Sequence, residues 1–352
     1  MKNNQLHIDF KLNGNSFSTS AELIDFSKEI SNTTQQFFID WFADTDFIEV
    51  QTSGSTGKPK SIQLKKEFMI NSALATGSFF DLKENTTALL CMSTNFIAGK
   101  MMLVRALVLG WDLDVIEPVS NPLEITKKNY DFSAMVPMQL KNSLSQIHRI
   151  KKLLVGGGIV SQDLVSEIQN VSTKIFATFG MTETITHIAV KQLNGFKNNT
   201  SSEVEKCYFI TFPNVSIYKD SRDCLVIKAP KVADAKVITN DVVKIISKNK
   251  FKWLGRFDHV INSGGIKLHP EEIEKKLTKI ISQRFFVAGI SDTNLGEKLI
   301  LIVEGNKLPI FFSKVKSLSR FETPKAIYFV DRFIETATKK IQRNKTLDLL
   351  FK

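Results

Sequence analysis

The stretch Gln51-Thr52-Ser53-Gly54-Ser55-Thr56-Gly57-Lys58-Pro59-Lys60 packs glycines, hydroxyls and cations between two apolar runs. Glycine lets a backbone approach an anion closely, Ser and Thr add hydroxyl donors, and lysine supplies a compact positive charge. That is the chemistry of a loop wrapped around a polyphosphate. It is not a Walker A loop, whose pattern G-x-x-x-x-G-K is followed directly by Ser or Thr. Here only Ser55 and Thr56 separate Gly54 from Gly57, and Pro59 follows Lys58. An exposed hairpin turn uses similar residues, but the density of hydroxyls exceeds what a turn needs.

Further segments of chemical interest follow in order. Leu153-Leu154-Val155-Gly156-Gly157-Gly158 reads as a short buried strand ending in a glycine turn. Phe176-Ala177-Thr178-Phe179-Gly180-Met181-Thr182-Glu183-Thr184 places a hydroxyl donor and a hard oxygen ligand after a glycine, which suit a phosphate and Mg²⁺. Thr and Glu are equally ordinary at a helix start. Ile238-Thr239-Asn240-Asp241 carries Asn, the residue that best tolerates a left-handed backbone after glycine, ahead of an aspartate. Gly255-Arg256-Phe257-Asp258 leads into Ser263-Gly264-Gly265-Ile266-Lys267-Leu268-His269-Pro270-Glu271-Glu272-Ile273-Glu274. Near the end stands Thr336-Ala337-Thr338-Lys339-Lys340-Ile341-Gln342-Arg343, where a lone lysine would read as a solvated charge.

Taken together, these segments resemble the signature motifs of the acyl-adenylate-forming superfamily. Thr52 to Lys60 matches every position of its Ser/Thr-Ser/Thr-Gly-Ser/Thr-Ser/Thr-Gly-x-Pro-Lys loop. The resemblance implies that Thr52, Ser53, Gly54, Ser55, Thr56, Gly57 and Lys60 hold the β- and γ-phosphates of ATP. Gly156, Gly157 and Gly158 would form the adenine-side loop. Phe179, beside Gly180, would stack on adenine, while Thr182 and Glu183 would serve the reaction, with Glu183 holding Mg²⁺. Asp241 would accept hydrogen bonds from the ribose, Arg256 would contact the nucleotide, and Asp258 would be the pivot between two domains. Gly264 and Gly265 would face CoA, and Lys340 would be the catalytic lysine. Asn240 and Lys339 stand where the family has glycine. The stretch before the phosphate loop is shorter than is usual there, which implies an abbreviated N-terminal part.

The implied fold is α/β: a large adenylating domain with mixed sheets and helices over 1–257, and a small mobile α+β domain over 258–352, hinged at Asp258. Hydrophobic patterning agrees with this organisation. Ala88 to Met92, Leu113 to Ile116, Ala134 to Val136, Leu153 to Val155 and Ile175 to Ala177 read as strands alternating with helices, hence a parallel layer. Phe26 to Phe42 reads as one amphipathic helix and Met101 to Leu109 as a buried one. Closely spaced strands from Cys207 to Leu254 suggest an antiparallel segment. After Asp258 the pattern predicts a helix opening at Pro270, strands at Phe285 to Ile290 and Leu299 to Val303, another helix, and a strand at Ala326 to Val330.

Val136-Pro137-Met138-Gln139-Leu140, Leu154 to Gly158 and the compact hinge from Gly255 to Pro270 are similar to o-succinylbenzoate-CoA ligases. Val-Pro is also what any strand-to-helix turn with Pro at the first helical position looks like. The resemblance implies an ATP-dependent acid-thiol ligase of menaquinone biosynthesis with CoA as co-substrate. A dicarboxylate substrate would want a cation beyond the nucleotide site, and Lys100 and Arg105 are candidates. Another acyl- or aryl-CoA ligase, and a non-catalytic nucleotide-binding scaffold, stand as alternatives.

Composition narrows the partners. The chain has 352 residues and a net charge of +11, spread in isolated pairs such as Lys65-Lys66 and Lys151-Lys152. Without an aromatic-interleaved basic stripe, a small carboxylate and ATP are expected rather than nucleic acid. No apolar run reaches transmembrane length and no secretory apolar region follows Met1, so a cytoplasmic protein without membrane insertion is expected. Cys91, Cys207 and Cys224 are too scattered for a disulfide framework or a zinc site. His187, close behind Glu183, reads either as a structural histidine or as part of an acyl pocket. The pattern carries no information on oligomeric state.

Overall fold

The structure, a computed structural model, describes residues 6–51, 61–195, 208–336 and 341–351. The apolar runs form parallel strands in the spatial order Asp112–Val115, Thr87–Leu90, Tyr130–Met135, Ile150–Val155, Lys174–Gly180. Lys11–Leu12 adds to the outer side of Asp112–Val115. These strands are apolar on both faces because helices cover the sheet. The helix Ile97–Leu109 is buried almost throughout and packs on the helix Lys66–Phe80.

After Lys174–Gly180 the chain reverses. His187–Gln192, Phe209–Thr211, Lys250–Arg256, Val237–Ser247, Cys224–Lys228 and Ser216–Lys219 continue the same twelve-stranded sheet, every further pair antiparallel. Phe47–Gln51 and Ser61–Lys65 form a separate antiparallel pair in which Gln51 lies opposite Ser61. The nine phosphate-loop residues between them lie outside the described residues.

A second sheet follows Arg256. Ile261–Ser263, Ile266–Leu268, Phe285–Asp292, Gly296–Glu304 and Ala326–Val330 make it five-stranded, with its own core of Ile261, Leu268, Ile273, Leu277, Val287 and Leu301. The helix Pro270–Leu277 opens on proline, carries Glu271 and Glu272 in its first turn and Lys275 and Lys276 in its last, and so complements its own dipole. It packs both on Phe285–Asp292 and on Lys250–Arg256 of the large sheet.

Two expectations fail for identifiable reasons, and a third residue acts otherwise than its type suggests. The helix expected over 26–42 is two helices, Ser20–Ser27 and Asn32–Phe42, because the Ser31 hydroxyl accepts from the Thr34 amide and starts the second one anew. The helix expected between Val303 and Ala326 is only a single 3₁₀ turn, Phe312–Lys314, in a segment with Pro309 and three serines. Asn240 does not occupy a left-handed conformation: it lies inside the strand Val237–Ser247 and is absent from the described residues with positive φ. Its side chain, rather than its backbone tolerance, is what the structure uses.

Candidate active site

Adjacent parallel strands bring the glycine turn and the Thr-Glu segment together. Ile150–Val155 and Lys174–Gly180 pair side by side, so Gly156 to Gly158 and Gly180 to Glu183 emerge next to each other at the carboxyl ends of the strands. In open α/β sheets that edge is where ligands bind. Val136 and Pro137, following the neighbouring strand, lie against Gly157 and Gly158. Gln139, 5% exposed, donates to the Cys91 and Val119 carbonyls and accepts from the Val136 amide. That glutamine therefore ties the loops behind the edge together.

The Thr-Glu segment is a strained turn. Gly180 passes so close to the returning strand that a Cβ there would lie 2.0 Å from the Thr186 carbonyl oxygen. Ile185, buried and β-branched, has φ 65° and ψ −67°, and the Thr186 amide donates to the Thr184 carbonyl at 2.8 Å. This is the rare γ-turn, which persists only where its surroundings enforce it. The fully buried Thr184 hydroxyl does so, accepting from the Met181 amide and bonding the Thr186 carbonyl. As a result Thr182 is half-buried and Glu183 is exposed at the edge. Phe179, half-buried, packs edge-on to Phe251 at 5.1 Å and against Phe209 at 5.6 Å.

Behind this turn lies a buried polar cluster. Arg105, 2% exposed, donates to Thr186 Oγ1 at 3.2 Å and lies 3.4 Å from Thr76 Oγ1, with no carboxylate in salt-bridge range among the described residues. Burial alone pulls its guanidinium down to about 9. Thr76 commits its proton to the Ser72 carbonyl, so His187 Nε2, 3.2 Å away, must be the donor to it. Burial and then the Arg105 charge hold His187 well below its ordinary pKa, hence neutral. Lys100 points elsewhere, its Nζ 5.5 Å from the Phe37 ring centre. Nothing in the motif pattern marks Ser72 and Thr76. Their one sequence signal is two hydroxyls four apart on a helix otherwise apolar on that face.

Asp241, 7% exposed, is reached by Trp253 Nε1 at 2.8 Å and lies 4.0 Å from Arg256. Desolvation raises its pKa, and the indole donor and Arg256 oppose that rise. Arg256 also pairs with Asp258 at 2.9 Å. Asn240 donates to Asp258 at 3.1 Å and accepts from Arg222 at 2.9 Å, and Arg222 in turn pairs with Asp220. Gly255, at φ 148°, leaves room for Glu271 Oε2 of the next helix, which an added Cβ would meet at 2.2 Å.

Gly264 and Gly265 are not beside these groups in sequence order or sheet. They form the exposed two-residue tip of a hairpin in the second sheet, with φ values of 58° and 79° that suit a type I′ turn. Lys340 lies outside the described residues; farther along the same motif, Arg343 pairs with Glu274 of the Pro270–Leu277 helix at 2.8 Å. Burial pushes the Cys91 thiol up to about 12, and Cys224 is raised for the same reason, which leaves neither as a nucleophile. No helix among the described residues is long and apolar enough to cross a membrane.

Comparison with known proteins agrees with this arrangement. The model of the AMP-binding enzyme family matches residues 48–218. A solved structure, an acyl-CoA synthetase (AMP-forming)/AMP-acid ligase II-like protein from Dyadobacter fermentans, is 36% identical, with 94% of this chain and 98% of that one covered and a TM-score of 0.61. The 2-succinylbenzoate-CoA ligase of Lactococcus lactis is 25% identical over 84% of this chain and 69% of the relative. The o-succinylbenzoate coenzyme A synthetase of Bacillus subtilis, solved with ATP and magnesium ion, shares the fold at a TM-score of 0.71 and 17% identity, covering 96% of this chain and 83% of that one. The chain thus belongs to the AMP-binding enzyme family and is one of its AMP-forming acyl-CoA ligases.

Proposed function

We propose that this ligase activates o-succinylbenzoate with ATP and transfers the acyl group to CoA, releasing AMP and pyrophosphate, as a step of menaquinone biosynthesis. The observation that carries the substrate is Arg105. A buried guanidinium without a carboxylate is costly, and a ligand anion would offset that cost. A dicarboxylic acid supplies one: one carboxylate reacts and the other pairs with Arg105, seated between Thr76, Thr186 and neutral His187. The shared name of the curated relatives from Lactococcus lactis and Staphylococcus epidermidis supports the same acid.

In this reading the nucleotide lies along the carboxyl edge of the parallel strands. Thr52 to Lys60 would hold its outer phosphates, Gly156 to Gly158 and Phe179 the adenine, and Asp241 and Arg256 the ribose end. The exposed Glu183 carboxylate beside the Thr182 hydroxyl is a hard-oxygen pair that fits Mg²⁺. When bound, that ion would neutralise charge on the departing pyrophosphate. The reacting carboxylate is already ionised, so the first step needs no general base. Lys340 would stabilise charge on the α-phosphate and the acid. The CoA thiol then displaces AMP from the acyl-adenylate.

The domain boundary is proposed at 257/258, between the two sheets, with Asp258 as the hinge. Rotation there would withdraw Lys340 and bring the Gly264-Gly265 hairpin toward CoA. The test is AMP formation from ATP and Mg²⁺ with o-succinylbenzoate, with and without CoA, in the intact chain and in Lys340→Ala. Thioester and AMP production lost in the variant is the expected result. Activity only with another acid would overturn the substrate, and no AMP formation with any acid would revive the scaffold reading.

A further inference from the structure

A register irregularity of the twelve-stranded sheet lies beside Asp241. Asp241 pairs with Arg256 and Val242 with Gly255, but Val243 pairs with Trp253, a register shift of one residue. Without the shift, Leu254 would lie opposite Val243 and share the face of Asp241, because side chains alternate along each strand. The bulge puts Trp253 there instead and turns its indole onto the carboxylate. Trp253 Nε1 donates to Asp241 Oδ1 at 2.8 Å, while Oδ2 stands 4.0 Å from Arg256 Nη1.

We propose that Trp253 is a positioning residue for the nucleotide: it holds the Asp241 carboxylate oriented so that the remaining lone pairs accept the ribose hydroxyls. This rests on the reading of Asp241 as the ribose acceptor. An indole N–H can only donate, so the contact exists only with an acceptor and fixes one oxygen of the carboxylate. A side chain this buried, with desolvation opposing its charge, needs such a donor. The adjacent Arg256 cannot take over the task, since its nearer partner is Asp258 at 2.9 Å.

The test compares ATP with 2′-deoxy-ATP and 3′-deoxy-ATP in the AMP-forming reaction of the intact chain, Asp241→Asn, Trp253→Phe and Trp253→His. The readout is the ratio of kcat/KM values, which does not depend on how much of a variant is folded. We expect Trp253→Phe to lower kcat/KM for ATP by about 10-fold, the scale of a hydrogen bond to a charged group, with less loss for the deoxy nucleotides. The preference for ATP should therefore shrink, and Trp253→His, which keeps a ring N–H, should restore part of it. The acid limb of the pH profile for ATP should also move to higher pH in Trp253→Phe. If Asp241→Asn abolishes the preference while Trp253→Phe leaves it intact, the role of Trp253 is overturned and that of Asp241 stands. If Asp241→Asn itself leaves the preference unchanged, the ribose reading falls and this proposal falls with it.

Discussion

Two clusters of charge flank the proposed reaction site, and they are built oppositely. Around Arg105 the groups are buried and there is no acid in reach among the described residues; its partners are the Thr76 and Thr186 hydroxyls. At the proposed hinge, Arg222, Asp220, Asn240, Asp258 and Arg256 form a half-exposed chain in which each cation meets a carboxylate. The hinge cluster is electrostatically complete and screened by water, so it can break and re-form at small cost. Among the described residues the buried cluster has no negative partner, the feature on which the proposed anionic ligand rests.

The largest expected effect tests that asymmetry directly. Arg105→Met should lower kcat/KM for o-succinylbenzoate by about 100-fold or more, as for a charged group left without its buried partner, while the melting temperature stays level or rises. A melt together with the coupled AMP assay checks both halves. A large drop in stability would mean that Arg105 is structural and would collapse the contrast with the hinge.

A completed buried pair should behave the other way. Arg343 and Glu274 are each mostly shielded, and Arg343→Met would strand the Glu274 carboxylate. Denaturant unfolding should show a loss on the order of 3 kcal/mol.

His187 gives a smaller, pH-dependent signature. Its folded pKa lies well below its unfolded value, so between the two the unfolded chain binds more protons. Stability is therefore intact above the ordinary histidine pKa and falls as the pH drops below it, by up to about 1.4 kcal/mol per pH unit. His187→Gln, which can still donate to Thr76, should flatten that slope in unfolding measured from pH 7 to pH 5.

The smallest effect belongs to Asn240→Ala. Losing its exposed bond to Asp258 and its part-buried bond from Arg222 should cost about 1 kcal/mol, yet it should speed amide exchange at Phe257 to His259 and change the ratio of the two half-reaction rates. An unchanged ratio would separate Asn240 from the hinge.

Much of the molecule was legible in the chain. Apolar runs such as Leu153 to Val155 and Ala326 to Val330 fall within strands because an apolar segment bounded by turns has few other ways to bury itself. The juxtaposition of Gly156 to Gly158 with Gly180 to Glu183 follows from parallel neighbours in a sheet. What the pattern misread were local competitions: Ser31 restarting a helix, and Pro309 with its neighbouring serines preventing one.

By itself, then, the sequence determined the motifs, their order and the parallel layer that carries them, since these depend on local spacing and hydrophobic period. Tertiary structure alone decided that Arg105 is buried with no acid in reach among the described residues, that Asn240 serves through its amide and that Trp253 rather than Leu254 faces Asp241. Each of these depends on a partner far along the chain or on a one-residue shift in strand register, and neither is encoded in any local window of residues.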